Sequence, residues 1–216
     1  MKELRQRPQG VKFIKELRQR PQGVKFINKI KNLRIHDEPD LFRRQLMGLE
    51  GSFATHYWAV VKRLLNNGII FEGRERQGAK DIVNSSLNYA YGVLYSHVLN
   101  AVLKAGLNPM AGFLHSYQPQ KPVLIYDMIE EFRPMVADRA ILTLLRRGER
   151  IEQEDDGLLA TESRKKIAKA VHGRMSGEVD FYGRKRTIET VIREQAVNVK
   201  KHISGAYRYR PFLSRW

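Results

Sequence analysis

Between residues 40 and 67, Leu46, Leu49, Phe53, Tyr57, Val60 and Leu64 recur at spacings of three and four, which predicts one long amphipathic helix. Asn66, Asn67 and Gly68 supply its stop signal. Residues 71–80 read as a charged, glycine-containing connection. A second helix is predicted over 81–104 and closed by Gly106. Val83, Leu87, Leu94, Val98 and Val102 form its apolar stripe, and Asn84, Asn88, Tyr91 and Tyr95 form a polar stripe beside it, read as an exposed helix face or, beside a metal, as a contact for nucleic-acid phosphates and bases. After the turn residues Asn108 and Pro109, a third helix is predicted over 124–147. Two further helices are expected over 163–172 and 186–203, separated by a turn-rich stretch at 173–183. Nothing alternates strand with helix, so the expected fold class is mainly α, a multi-helix domain.

The start of the chain is different. KELRQRPQGVKFI occupies residues 2–14 and again 15–27. A perfect repeat that short, present twice, is no solenoid unit and reads as a recent local duplication. Pro8 and Pro21 interrupt any long helix there, leaving a short one over 24–35. The expected organisation is therefore a basic arm with a linker helix over 1–36 and a helical domain over 37–216.

Charge sharpens that division. The 216 residues carry a net +16. Residues 1–36 hold +9 and residues 164–216 hold +10, whereas residues 37–163 hold −3. Segregation of this size points to capture of a polyanion by the two ends, and nucleic acid is favoured over an anionic membrane because the basic segments lack an opposing Trp or Leu face. Arg184, Lys185, Arg186, Lys200 and Lys201 are the candidate DNA-binding cations of the C-terminal part. No apolar run is long enough to span a bilayer and no signal peptide pattern is present, so no membrane partner and a cytoplasmic location are expected.

Candidate chemistry is limited by composition. The absence of cysteine excludes disulfides, iron–sulfur clusters, thiolate zinc sites and a cysteine nucleophile. Neither a phosphate-binding glycine loop nor a Gly-x-Ser-x-Gly elbow is present, which argues against nucleotide hydrolysis and serine hydrolysis. Glu50 lies one turn from Leu46 and Phe53 on the apolar side of its helix, either as an edge residue, a buried ion pair or a metal ligand. His115 follows an apolar turn and reads as a structural histidine or a ligand. Asp127, Glu130 and Glu131 fall at the opening of the third helix, where carboxylates also suit the helix dipole. One imidazole with several carboxylates is a set suited to Mg²⁺ or Mn²⁺.

Several separate segments then carry a resemblance. GLEGSFATHYW at 48–58, FEGRERQGAKDIVNSSLNYAYGVLYS at 71–96, AGLNPMAGFLH at 105–115 and LIYDMIEEFRPMVADRA at 124–140 occur in order, followed by GRKRTIETVIREQA and YRPF. Together they resemble the helical catalytic domain of the CRISPR-associated Cas1 family of spacer integrases. The resemblance implies a divalent metal held by Glu50, His115 and Glu130, with Asp127 close by as a further acidic catalytic position. It implies Arg74 and Asn84 near the DNA substrate. Expected partners are double-stranded and branched DNA, a second copy in a homodimer, and a Cas2 dimer.

The expected activity is metal-dependent endonuclease and integrase chemistry in CRISPR adaptation. Family members begin with a β-rich domain, and no strand pattern precedes residue 40, so the expected fold lacks that domain and assembly is affected. A non-catalytic DNA-binding domain and a degenerate integrase relic are the rival readings.

Overall fold

The computed structural model describes residues 39–65, 68–75, 78–154 and 156–213. The duplicated arm and the helix expected over 24–35 lie outside these residues. The chain divides into two units, Met1–Arg74 and Glu75–Arg215.

In the first unit, α1 spans Pro39–Leu64. Proline is tolerated where an α-helix begins, because the first N–H groups have no intrahelical acceptor. The predicted stripe is only partly buried. Tyr57 and Val60 are buried, joined by Val61 and Leu65, which the spacing missed, whereas Phe53 remains 37% exposed and Leu46, Leu49 and Leu64 are half-buried. Burial thus concentrates in the last two turns. Beyond Gly68, whose φ of +82° suits glycine, the chain returns along the helix end. Phe71 is buried with its ring edge-on to Trp58 at 6.1 Å, the Arg74 guanidinium lies 6.0 Å from the Trp58 ring centre, and Lys62 pairs with Glu72.

The second unit is organised around α2, Ile82–Lys104. Its start is fixed by Asp81, whose side chain accepts the backbone N–H of Asn84 at 2.8 Å. Its end is fixed by Gly106, at φ +72°, with Leu107 N–H donating to the Val102 carbonyl at 3.2 Å. Val83, Leu87, Ala90, Leu94, Val98, Ala101 and Val102 are buried. The neighbouring polar stripe is not an exposed face. Asn84 is buried and Asn88, Tyr91 and Tyr95 are half-buried, because α2 is covered on several sides by the elements that follow.

Those elements begin with α3, Val123–Ile129. The single helix expected over 124–147 is in fact broken. Pro134 has no N–H and its ring crowds the carbonyl four residues earlier, so the chain leaves α-geometry at residues 130–133, passes through a π-turn at Pro134–Asp138, and resumes as α4, Arg139–Arg146. The π register shows in Asp138 N–H donating to the Arg133 carbonyl at 3.0 Å. Arg174 Nε and Nη2 both donate to the Met135 carbonyl in this turn, each at 3.2 Å. Burial and the adjacent Arg139 push the Arg174 guanidinium down to about 10.

α5, Thr161–Met175, packs on α2 and α4. The stretch expected to be turns then contains an antiparallel hairpin, β1 Glu178–Phe181 with β2 Arg184–Thr187, registered as Val179 opposite Arg186 and Asp180 opposite Lys185. Its two-residue turn places both Tyr182 and Gly183 at positive φ, 50° and 77°, the tight hairpin geometry that matches strand twist. The missed signal was a Tyr-Gly turn in place of the usual Asn-Gly. α6, Ile188–Ile203, follows with Thr187 as its N-cap. Arg186 therefore belongs to a strand and not to the helix start. No helix among the described residues is long and apolar enough to cross a membrane. The fold is mainly α, as expected, with one small two-stranded sheet.

Candidate functional site

The loop joining α2 to α3 is built around a single carboxylate. Asp127 is buried, and its Oδ2 accepts the backbone N–H groups of Phe113 at 2.6 Å and Leu114 at 2.9 Å. Its Oδ1 accepts the backbone N–H of His115 at 3.0 Å and lies 2.5 Å from His115 Nδ1. A carboxylate already taking three N–H donors acts as an acceptor toward the ring, so Nδ1 carries the proton and Nε2 is left as the lone-pair nitrogen. Gly112 lets the loop close this tightly. A Cβ there would stand 2.8 Å from Asp127 Oδ2 and 2.9 Å from Val123 Cγ2.

Asp127 is thus not a helix-opening residue. α3 begins at Val123 with no acidic residue in its first turn, and Asp127 sits toward its other end. Glu130 follows at the C-cap and pairs with Arg133, whose guanidinium stacks over the Tyr91 ring with 4.1 Å to the ring centre. Tyr91 Oη donates to the buried carboxylate of Asp138 at 2.5 Å. Burial works against the Arg133 charge, and Tyr91, Glu130 and Asp138 together more than reverse it, so its affinity for the proton is raised. Nothing in the spacing of the sequence signalled this Arg133–Tyr91–Asp138 assembly, because its members come from different elements.

Glu131 does something else. It accepts from Tyr209 Oη, from Gln195 Nε2 at 3.0 Å and from the backbone N–H of Phe212 at 3.1 Å. Gln195 is fully buried and also donates to the Arg210 carbonyl at 3.0 Å. Phe212 stacks on Phe132 with 5.8 Å between ring centres. Glu131 therefore anchors the C-terminal strap rather than the His115 loop.

The remaining sequence candidates are dispersed. Glu50 is half-buried on α1, in the first unit, as is Arg74 beyond it. Asn84 is buried, donating from Nδ2 to Asp81 at 2.7 Å and accepting the Glu75 backbone N–H at 2.9 Å. Arg184 and Lys185 are exposed on β2, and Lys200 and Lys201 are exposed near the end of α6. Arg186 faces Glu194 at 3.4 Å. Among the described residues, no three His, Asp or Glu side chains are gathered as a metal would gather them.

Known proteins give this geometry a context. The sequence model of the family described as CRISPR associated protein Cas1 matches residues 5–173. The chain is 29% identical over 171 residues to the CRISPR-associated endonuclease Cas1 1 of Francisella tularensis subsp. novicida, covering 79% of this chain and 52% of that protein. It is 32% identical over 189 residues to the Cas1 1 endonuclease of Archaeoglobus fulgidus, covering 82% and 54%. The chain spans about half the length of these curated relatives.

Among solved structures, it matches a casposase bound to its integration product with a TM-score of 0.77 and 24% identity, over 91% of this chain and 60% of that one. A Cas1 protein from Thermotoga maritima matches with a TM-score of 0.76 and 22% identity, over 91% and 61%. A chain of a Cas6-RT-Cas1–Cas2 complex matches with a TM-score of 0.69 and 22% identity, over 92% and 22%. These neighbours share the fold, and the sequence match over most of its length shows that the chain belongs to the Cas1 family.

Proposed function

We propose that this chain is the helical catalytic part of a CRISPR-adaptation integrase, joining DNA ends by phosphoryl transfer and cleaving DNA when water replaces the attacking hydroxyl. The observation that carries the reading is the buried Asp127 carboxylate that fixes the ring of His115 through Nδ1. A carboxylate behind an imidazole is the usual support of a metal-bound histidine, since it sets the tautomer and leaves Nε2 to ligate.

The donor chemistry fits a hard divalent ion. In this reading His115 through Nε2, with Glu130 and Glu50, holds Mg²⁺ or Mn²⁺. When bound, the ion supplies Lewis-acid polarisation of the scissile phosphate and stabilises charge on its oxygens. Asp127 holds the imidazole in one orientation and keeps the proton on Nδ1. Arg133, fixed over Tyr91, holds Glu130 at the end of α3.

In the transfer itself, a DNA 3′-hydroxyl attacks phosphorus as the bond to the leaving 3′ oxygen breaks. The attacking group loses a proton and the leaving oxygen gains one, so the number of phosphodiesters is conserved. Arg184, Lys185, Lys200 and Lys201 hold the duplex, with Arg74 near the substrate and Asn84 acting by fixing Glu75 and the start of α2. The partners in this reading are double-stranded and branched DNA, a second copy of the chain, and a Cas2 dimer.

The test is strand transfer on branched DNA with Mn²⁺, comparing the chain with Glu50→Ala, His115→Ala and Glu130→Ala. Each variant is expected to lose transfer while still binding duplex. A wild-type rate in Glu50→Ala would exclude this ligand set, and metal-independent binding without turnover in every protein would favour a non-catalytic DNA-binding domain.

A further inference from the structure

Away from the His115 loop, two imidazoles face each other across packed helices. His97 on α2 and His172 on α5 approach through their Nε2 atoms at 3.2 Å, with the rings 5.2 Å apart and inclined at 74°. The proton positions follow from the neighbours. His172 Nδ1 lies 2.7 Å from the Ala168 carbonyl. A carbonyl oxygen can only accept, so Nδ1 donates and His172 Nε2 holds a lone pair in the neutral ring. In the apo arrangement His97 Nε2–H donates to that lone pair.

We propose that this pair is a binding site for a borderline divalent metal ion of the zinc type, clipping α2 to α5. Two Zn–N bonds at a tetrahedral angle place their nitrogens about 3.3 Å apart, close to the observed 3.2 Å. Zinc takes the place of the shared proton once His97 moves its own proton to Nδ1, a change between neutral tautomers that releases no net charge. His97 is ready for this role. Burial and then His172 lower its proton affinity below the usual histidine value, with the Glu189 carboxylate on the first turn of α6 acting in the opposite sense, so the ring is neutral at physiological pH and keeps a nitrogen lone pair for the ion.

The chemistry also separates this site from the proposed catalytic centre. A donor set of imidazole nitrogens alone selects zinc, copper or nickel, whereas Mg²⁺ and Mn²⁺ prefer a set dominated by oxygen donors, as the carboxylates of the proposed catalytic centre provide. No third His, Asp or Glu completes the set among the described residues, so water fills the other positions. His172 is exposed and His97 half-exposed, which gives the ion a direct approach from solvent. Two turns of packed helix are then tied together at the element around which the second unit is organised, a constraint that acts on the folded state and not on the unfolded chain.

The experiment is calorimetric titration of zinc chloride into the full chain, paired with thermal melting. Zinc at a hundredfold excess over its dissociation constant is expected to raise the melting temperature by about 5 °C. His97→Gln and His172→Gln should each weaken zinc binding by about tenfold or more, because one imidazole cannot chelate. Magnesium should produce no such rise through this pair. His115→Ala, which removes the proposed catalytic ligand, should leave the affinity of the pair unchanged, so this inference and the proposed DNA chemistry fail separately. Absence of zinc-dependent heat and melting shift in the wild-type chain, or wild-type affinity in both glutamine variants, would overturn the site and leave a hydrogen bond between two neutral rings.

Discussion

Asp127 and His115 are joined twice, once through the His115 backbone N–H at 3.0 Å and once through its ring Nδ1 at 2.5 Å. The same carboxylate therefore shapes the loop and aims the ring. Asp127→Ala leaves the Phe113, Leu114 and His115 N–H groups without their acceptor, and the expected loss of stability is about 3 kcal/mol. Chemical denaturation measures the loss, and nitrogen-resolved NMR of the imidazole reports whether the Nδ1 proton becomes labile. A His115 ring with an unchanged tautomer in Asp127→Ala would show that another group orients it.

Gly112 tests the same hub from the opposite side. Its Cβ position lies 2.8 Å from Asp127 Oδ2, 2.9 Å from Val123 Cγ2 and 3.1 Å from the His115 carbonyl, so a methyl group must displace one of them. Gly112→Ala is expected to cost about 2 kcal/mol and, under the proposed function, to reduce strand transfer along with stability. The decisive comparison is with Gly92→Ala, where nothing lies within 4 Å of the added methyl. Equal melting temperatures for the two variants would contradict the tight packing of the loop.

How much of this was legible in the sequence depended on how local the cause was. Capping and stopping of α2 by Asp81 and Gly106 could be read from neighbours in the chain. The break at Pro134 was readable too, but the apolar period ran through it and concealed the π-turn. Tyr182 adopting positive φ is unusual for a residue with a side chain, so the hairpin gave no ordinary turn signal. The roles of Asp127 and Glu131 could not be separated by spacing. Both are carboxylates near one helix, and what distinguishes them is the segment each receives, the residue 113–115 loop for one and the strap ending in Phe212 for the other.

Glu131→Ala should release that strap. The substitution removes the acceptor shared by Tyr209, Gln195 and Phe212, at an expected cost of about 2 kcal/mol. Limited trypsin digestion reads it locally, since Arg208 becomes a faster cleavage site while Arg210 is protected by the following Pro211. Unchanged cleavage after Arg208 would mean that Phe212 stacking on Phe132 suffices to hold the strap.

The strap also sets an alkaline limit. Burial first, then the charge and hydrogen bond of Glu131, raise the Tyr209 phenol above the usual tyrosine value, and burial with a hydrogen bond to Tyr207 pushes Tyr182 up to about 12. Both groups favour the neutral phenol in the folded state. Their contribution is fully present below the ordinary tyrosine pKa of about 10 and is lost as pH rises from there through the folded values. Phenolate absorbance should show a late-titrating fraction whose appearance coincides with unfolding. In Glu131→Gln, with the neighbouring charge removed, Tyr209 should ionise earlier. Titration of all tyrosines as one ordinary set would refute the arrangement.

DNA capture, finally, is expected to depend on exposed cations of the C-terminal part and on charge rather than on base identity. Arg184 and Lys185 project from β2, and Lys200 and Lys201 lie near the end of α6, all exposed. Arg186 differs, because Glu194 at 3.4 Å already offsets its charge. Residues 37–163 carry a net −3 and contribute no long-range attraction for phosphate. Each phosphate contact adds about 0.9 to the slope of log affinity against log salt for duplex DNA. Replacing Arg184, Lys185 and Lys200 by Gln should therefore flatten that slope by up to about three such increments and weaken binding to unrelated duplexes alike. Arg186→Gln alone should change it less than Arg184→Gln alone. A triple variant with the wild-type slope would make these residues a solvated surface, and a sharp change in preference among sequences would make them readers of base edges instead.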